Sequence, residues 1–221
     1  MVLLPSGGFK TVVMEVSPSV GGAHATSMNS GPRVGRDCTI DDGATVGYDY
    51  GDETTPPAIG AGSTIRAGTI IYDDVVMGER CTTGHDALIR ERTELGDDVL
   101  VGTNAVIDGR TTVGSNVSLQ TGVYVPAETT IRDDVFVGPH AVLTNDPHPI
   151  RTDAPLAGPT IERGVSVGAN ATVLPSVMVG ERSFVAAAAV VTEDVPPDTL
   201  AVGAPAAHRP LPEDLRSLNE I

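Results

Sequence analysis

Hydrophobic residues recur at every sixth position from Ile59 to His148. The first position of each six is aliphatic in fourteen of fifteen repeats, and Thr83 is the exception. The fifth position holds a small or β-branched residue in all repeats but one. The second position is often glycine, as at Gly60 and Gly78. This pattern is the strongest signal in the chain, and it predicts a repeating fold.

A period of six fits neither an α-helix, whose side chains repeat with a period of about 3.6, nor a single strand, in which they alternate. The chain must therefore turn a corner after each six and bring the same side inward each time. Three flat segments close a triangular coil, and the coils stack at the strand spacing of about 4.8 Å. Branched and small residues suit the inward surface, and we expect glycine to relieve crowding at the corners. The predicted fold class is all-β, a parallel β-helix.

Two interruptions set the predicted domain organisation. The six-residue pattern begins at Val34, slips by seven residues across 52–58, stops for twelve residues at 149–160 and resumes at Ile161. We predict an N-terminal cap at 1–33 with a strand at 11–16, a β-helix domain at 34–206, and a tail at 207–221 with a short C-terminal helix at 212–219. Residues 149–160 form a predicted protruding loop, which we expect to be the lid or wall of a site.

Composition and charge narrow the possible functions. The net charge is −15, with a single lysine, Lys10, against 29 acidic residues. Such a surface repels nucleic acid and anionic membranes, so neither is an expected partner. An acidic, lysine-poor composition is typical of a high-salt cytoplasm, and the chain has no signal-like start or long apolar run, so we expect a soluble cytoplasmic protein. Cys38 and Cys81 fall at inward positions and are predicted to be small core residues.

The sustained register resembles the hexapeptide-repeat family, whose members form a left-handed parallel β-helix, an exception to right-handed crossovers. Residues 185–197 (VAAAAVVTEDVPP) and 202–206 (VGAPA) look like the end of the trimeric acyltransferases that use acetyl-CoA. The resemblance implies a homotrimer that binds acetyl-CoA in the clefts between neighbouring prisms. Small residues at that wall would admit the pantetheine arm. The implied cofactor-binding residues are Ala169, Ala187, Ala188 and, at a phosphate, Arg209. Simple packing of alanine in thin coils explains the three alanines equally well.

The loop entrance, residues 135–149, resembles two branches of this family. Residues 142–145 (VLTN) are similar to the N-acetyltransferases that acetylate nucleotide-linked amino sugars for surface polysaccharides, where the matching Asn lies beside the sugar amine. His148 and Pro149 look like the sugar and serine O-acetyltransferases, in which that His is the general base.

The two chemistries need different residues. A hydroxyl is a weak nucleophile and requires a base of near-neutral pKa, which His148 would supply. An uncharged amine requires orientation and a polar contact, such as Asn145 or Asp146. We therefore predict Asn145, Asp146 and His148 as catalytic residues. The preferred acceptor is the amine of a nucleotide-linked amino sugar, and a sugar or serine hydroxyl is the alternative.

Several further residues are candidate contacts of a long acceptor. They are Gln120, His140, His85, Asp86, Arg90 and Arg151. Steps of one whole coil, or three sixes, place Asp86, Asn104, Gly122 and His140 in one outward column. Asp86 and His140 would then be three coils apart, roughly 14 Å, which is too far for a catalytic dyad. For Arg90, an ion pair with Glu91 or Glu94 is the alternative interpretation.

Two other classes of protein share this predicted fold. The zinc enzymes of the carbonic-anhydrase branch need three His ligands, but His140 and His148 are eight residues apart instead of five, so no metal is expected. A non-catalytic solenoid is the other alternative, because a fold alone does not define a function. The interrupting loop and the VGAPA segment argue against it.

Overall fold

The computed structural model describes residues 31–217, 219 and 221. These residues form a triangular prism whose three sides are β-sheets of eight, ten and eight strands. We call them face 1, face 2 and face 3, in the order in which the chain visits them. Most of the predicted N-terminal cap, including the strand expected at 11–16, lies outside the described residues.

Nearly all strands are short, because the chain turns after each flat segment. Face 1 contains Arg33–Val34, Ala58–Ile59, Val76–Met77, Glu94–Leu95, Thr112–Val113, Thr130–Ile131, Thr160–Ile161 and Met178–Val179. Face 2 contains Thr39–Ile40, Thr64–Ile65, Thr82–Thr83, Leu100–Val101, Ser118–Leu119, Phe136–Val137, Ser166–Val167, Phe184–Val185, Thr199–Val202 and Ala207–Pro210. Face 3 contains Thr45–Tyr48, Ile70–Tyr72, Leu88–Ile89, Val106–Ile107, Tyr124–Val125, Val142–Leu143, Thr172–Val173 and Val190–Val191.

Strand pairing confirms the predicted coil of three sixes. Glu94 pairs with Thr112 on face 1, and Leu100 pairs with Ser118 on face 2, both in parallel register. Backbone N–H groups of one coil donate to carbonyls of the next along each face. The architecture is the expected left-handed parallel β-helix.

The register also shows where extra residues leave the coils. Arg33 pairs with Ala58, which makes the first turn seven residues longer than a regular coil. Thr130 pairs with Thr160, which makes that turn twelve residues longer. Both differences match the sequence pattern. The larger insertion connects the strand Val142–Leu143 of face 3 to the strand Thr160–Ile161 of face 1.

The core is a single column of inward side chains. The first position of each six is buried from Ile59 onward, and Ile65, Ile71 and Ile89 are fully buried. Thr83 keeps its polar side chain inside the prism because its Oγ1 hydrogen-bonds to Thr69 Oγ1 at 3.0 Å. Cys81 is a buried free thiol. Such small side chains fill a prism too narrow for larger aromatic residues.

Glycine at the second position has a different role from the one that we expected. A Cβ on Gly60 would lie 2.2 Å from the carbonyl oxygen of Gly78 in the next coil, so close backbone approach excludes a side chain. The corner itself is turned at the fourth position, where φ is positive in Arg80, Asn104 and His140, among others. A left-handed conformation is uncommon for residues other than glycine. The repeated geometry of the coil imposes it here.

The C-terminal end differs from the prediction. The strand Thr199–Val202 pairs in antiparallel register with Ala207–Pro210, which adds one more rung to face 2 beyond the predicted domain boundary at 206. The helix expected at 212–219 is reduced to the 3₁₀-helix Glu213–Leu215, since so short an isolated segment has few helical hydrogen bonds to stabilise it. Asn219 instead anchors the tail on face 2 by accepting a hydrogen bond from Ser166 Oγ at 2.7 Å. In the part of the chain that the structure describes, no helix could span a bilayer.

Candidate active site

The three edges of the prism differ in composition, and this difference locates the candidate site. The edge between faces 1 and 2, here the charged edge, consists of the third and fourth positions 61–62, 79–80, 97–98, 115–116, 133–134, 163–164 and 181–182. The edge between faces 2 and 3, here the small-residue edge, consists of 67–68, 85–86, 103–104, 121–122, 139–140, 169–170 and 187–188. The third edge, between faces 3 and 1, carries the long insertion and is called the loop edge.

Six of the predicted binding residues share the small-residue edge. They are His85, Asp86, His140, Ala169, Ala187 and Ala188. Backbone hydrogen bonds join successive coils there: the Asn104 N–H donates to the His85 carbonyl, and the His140 N–H donates to the Thr121 carbonyl. The column expected from steps of one coil is therefore present. Ala187 and Ala188 are exposed, so the upper end of this edge is a wall of small side chains.

The predicted catalytic residues lie on the loop edge, at the other side of face 3. His140 and Asn145 lie on opposite sides of the strand Val142–Leu143. Five residues of extended chain separate them, which corresponds to a distance of up to about 15 Å. One subunit therefore does not bring the two groups of predicted residues together. Arg151 is also on the loop and is exposed.

The side chain of Asn145 is held in place at the start of the loop. Its Nδ2 donates a hydrogen bond to the carbonyl oxygen of Ala127 at 3.0 Å, one coil below. The Ala157 N–H donates to the Asn145 carbonyl, which closes the base of the loop. One amide N–H is engaged in this way, and Oδ1 is the atom of the side chain that can accept a hydrogen bond from a ligand.

His148 and Asp146 form a turn at the loop entrance. The backbone N–H of His148 donates to Asp146 Oδ1 at 2.8 Å, so this carboxylate fixes the chain direction. The Arg151 N–H donates to the His148 carbonyl and closes a second turn. The imidazole of His148 itself is exposed. The geometry therefore presents the imidazole to solvent or to a neighbouring molecule.

Arg90 is engaged within the chain. It lies on the loop edge, where it donates to Asp108 Oδ1 at 2.7 Å and to both carboxylate oxygens of Glu91 at 3.1 Å. The hydrogen bond to Asp108 is the main cause that raises the pKa of Arg90 above its ordinary value. Tyr124 donates to the other oxygen of Asp108, and burial raises the pKa of Tyr124. The ion-pair interpretation of Arg90 accounts for this geometry. The partners are Glu91, as expected, and Asp108 in place of Glu94.

Gln120 borders the small-residue edge, and Arg209 lies on face 2 at its C-terminal end. Gln120 follows the strand Ser118–Leu119, and its Nε2 donates to Ser118 Oγ at 2.7 Å. Arg209 pairs with Leu200 on the last rung of face 2 and is exposed. Both residues therefore lie on the face that borders the alanine wall.

Sequence reasoning missed two features of the loop edge. Ile150, at the loop tip, is fully exposed and has φ of 64°. A β-branched residue in this conformation is a clear outlier. Leu156, further along the loop, is also exposed. Both are apolar residues in a loop that contains three prolines, and this was the available signal. The sequence does not show that their side chains point away from the prism.

Face 3, which separates the two edges, has a partly apolar outer surface. The apolar part is the row of sixth positions in five successive coils, Ile70, Leu88, Val106, Tyr124 and Val142, whereas the second positions beside this row include Arg90 and Asp108. Two open clefts on the prism lie elsewhere, on face 1, near Met178 and near Ile59. Among residues 31–217, 219 and 221, no three metal-ligating side chains are grouped closely enough to hold a metal ion.

Comparison with known proteins supports this description. The model of the hexapeptide repeat of succinyl-transferase matches residues 92–127 and 160–193. A UDP-N-acetylglucosamine acyltransferase from Bacteroides fragilis has the same fold, with a TM-score of 0.60 at 21% identity over 78% of this chain and 72% of that one. The chain is therefore similar to the hexapeptide-repeat acyltransferases in its repeats over residues 92–127 and 160–193 and in its fold.

Two sequence relatives carry different names. A 2,3,4,5-tetrahydropyridine-2,6-dicarboxylate N-acetyltransferase of Staphylococcus aureus is 46% identical over 74 residues, which are 33% of this chain and 29% of that protein. The galactoside O-acetyltransferase of Escherichia coli is 30% identical over 79 residues, which are 33% of this chain and 39% of that protein. The alignments thus span less than half of each relative.

Proposed function

We propose that the protein is an acetyl-CoA-dependent N-acetyltransferase that acts on the amino group of a nucleotide-linked amino sugar, for surface polysaccharide synthesis. The observation that carries the proposal is the fixed amide of Asn145, whose nitrogen is held by the Ala127 carbonyl. Its Oδ1 is suited to accept an N–H from a neutral amine and to orient the nitrogen lone pair. Orientation of this kind supplies a large part of the rate acceleration when the nucleophile is already reactive.

The reaction requires little else from the protein. The amine nitrogen attacks the thioester carbon of acetyl-CoA, the C–S bond breaks, and coenzyme A leaves as a thiol that takes the proton lost by nitrogen. Small residues at Ala169, Ala187 and Ala188 suit the passage of a narrow acyl-bearing arm along the edge. Arg209, on the last rung of face 2, is the candidate contact for a phosphate of the coenzyme.

The length of the polar column supports a long acceptor. His140, Asn104 and Asp86 occupy one edge over three coils, roughly 14 Å. Their hydrogen-bonding groups suit a sugar with a nucleotide attached better than an acceptor as small as serine. Gln120 and His85 border the same column.

A complete site in this proposal is shared between two copies in a homotrimer. Asn145 and the alanine wall flank face 3, so they come together only when the loop edge of one copy meets the small-residue edge of another. In a threefold assembly of this kind, face 3, with its apolar row, points toward the symmetry axis. The exposed Ile150 and Leu156 at the loop tip support a contact with the neighbouring copy.

An O-acetyltransferase is the second candidate, and one observation favours it. His148 is exposed on the loop, and the turn with Asp146 fixes its backbone. An imidazole so placed is available as the general base that a hydroxyl acceptor needs. The names of the two relatives, one an N-acetyltransferase and one an O-acetyltransferase, are consistent with either chemistry.

An acceptor panel distinguishes the two. Thiol release from acetyl-CoA would be measured with UDP- and dTDP-linked amino sugars, free sugars and serine, for wild type, Asn145→Ala and His148→Ala. The proposal predicts turnover with an amino sugar that falls about 100-fold in Asn145→Ala and less than about threefold in His148→Ala. Turnover confined to hydroxyl acceptors and abolished in His148→Ala would establish the second candidate. No thiol release with any acceptor would refute both.

A cytoplasmic location and adaptation to high salt stay predictions. The net charge of −15 makes the second one testable, because screening by salt weakens repulsion among the acidic side chains. The melting temperature is expected to rise between low and molar KCl.

A further inference from the structure

His140 lies directly above a position that has no side chain. Gly122 occupies the corresponding corner one coil below, and the two corners are joined through the His140 N–H and the Thr121 carbonyl at 2.9 Å. A Cβ placed on Gly122 would lie 2.3 Å from His140 Nδ1 and 2.6 Å from Cε1. The imidazole therefore fills the space that a side chain at position 122 would take.

Elsewhere in the prism, side chains at successive fourth positions contact each other. Arg80 donates to Asp98 Oδ1 at 2.8 Å, and Arg110 donates to Glu128 at 2.6 Å. The residue in one coil thus influences where the next side chain lies. At His140 no side chain from position 122 in the coil below exerts that influence, and the ring occupies the space over Gly122.

We propose that Gly122 is a positioning residue for the site. It lets the His140 ring lie along the small-residue edge, over Gly122 and at the upper end of the polar column that continues to Asn104 and Asp86. This inference rests on the proposed function, in which His140 contacts the acceptor. Any side chain at 122 would displace the ring outward and disturb the path of the acceptor.

The substitution Gly122→Ala isolates this effect. Gly122 has φ of 68°, and an alanine already adopts φ of 58° at Ala188 on the same edge, so the backbone can accept the change. The atoms that a methyl group would meet within 3 Å belong to the His140 ring, which can move. A matched control is Gly62→Ala on the charged edge. Gly62 has φ of 71°, and its nearest contact is Arg80 Cγ at 3.4 Å.

The first readout does not depend on turnover. Ring resonances of His140 would be identified in NMR spectra by their loss in His140→Asn, and compared among wild type, Gly122→Ala and Gly62→Ala. We expect the His140 signals to shift in Gly122→Ala and to stay in place in the control. Unchanged signals in Gly122→Ala, in a protein that melts as wild type does, would overturn the positioning role.

The second readout is a double-mutant cycle in the acetyl-transfer assay. Gly122→Ala is expected to raise the KM for the acceptor about tenfold or more with a smaller change in kcat, and Gly62→Ala is expected to leave both unchanged. In a His140→Ala background, Gly122→Ala should have no further effect. Equal losses in the two backgrounds would overturn the inference. If the wild type turns over no acceptor, the proposed function fails, and the ring signals alone decide the position of His140.

Discussion

The charged edge and the small-residue edge have the same backbone geometry but differ in their side chains, which are mostly charged on the first and mostly short and uncharged on the second. Each consists of fourteen third and fourth positions in seven coils. On the charged edge, nine of the fourteen residues are Asp, Glu or Arg. On the small-residue edge, Asp86 is the only residue of these three types. The repeat therefore determines the fold equally well with either composition. In the proposed function, what differs is the ability of each edge to accept a ligand or a second subunit.

The charged edge is adapted to water. Arg80 forms a bidentate pair with Asp98 at 2.7 and 2.8 Å, and Arg182 forms a similar pair with Asp198. Exposed pairs of this kind contribute little to stability, so their main effect is to keep the surface hydrated. The small-residue edge carries mostly short, uncharged side chains instead. This contrast yields the following tests, from the largest expected effect to the smallest.

The largest effect is expected from a bulky residue on the small-residue edge. Ala187→Trp would block the proposed path of the acyl arm. We expect acetyl transfer to fall about 100-fold, since overpacking a close contact costs about 1–3 kcal/mol. Thiol release and light scattering would measure activity and assembly. Glu181→Trp places the same side chain at the third position of the charged edge in the same coil, and it should retain activity and assembly. Equal losses in both variants would contradict the contrast between the edges.

An intermediate effect is expected from the loop tip. Ile150→Asn replaces an exposed β-branched residue at positive φ with one that tolerates this conformation. The isolated subunit should be at least as stable as that of wild type, because local strain is relieved. The assembly should be weaker, with a dissociation constant about tenfold higher than that of wild type. Melting curves and sedimentation at several concentrations would show the two effects. An assembly as tight as that of wild type would exclude Ile150 from the subunit contact.

The smallest effect is expected at the charged edge. The hydrogen bonds from Arg80 hold the pKa of Asp98 below its ordinary value. The pair therefore adds stability above the ordinary pKa of an aspartate, and this contribution is lost as the pH falls through the lowered pKa. Arg80→Gln should lower the melting temperature at pH 7 by about a degree or less and leave acetyl transfer unchanged. The difference from wild type should vanish at pH 2, and a difference that grew on acidification would contradict the assignment.

Periodicity predicted the fold because an inward position tolerates few residue types. Ile65 and Ile89 could be assigned to the core from spacing alone, and the twelve-residue insertion follows from where the register stops. Steps of one coil also placed Asp86 and His140 on one edge. The C-terminal helix expected at 212–219 is only the 3₁₀-helix Glu213–Leu215, and Asn219 contacts Ser166 on face 2 instead, a tertiary contact that local propensity does not reveal.

The candidate site was less predictable because its key contacts join different coils. The bond from Asn145 to the Ala127 carbonyl depends on how the loop folds back. The contact between His140 and Gly122 depends on a missing side chain one coil below, and the sequence pattern shows only that the two share a column. Spacing likewise does not reveal that the loop and the alanine wall flank a face with an apolar row.

The central claim is that the site combines the loop of one copy with the small-residue edge of another. Asn145→Ala and Ala187→Trp subunits would be unfolded, mixed in equal amounts and reassembled, and thiol release measured with the best acceptor. Each variant alone carries one defect in every site. In mixed trimers, the account predicts that roughly a quarter of the sites regain both intact halves, with a matching return of activity. Mixtures that stay as inactive as the separate variants, although light scattering shows that they assemble, would contradict the shared site.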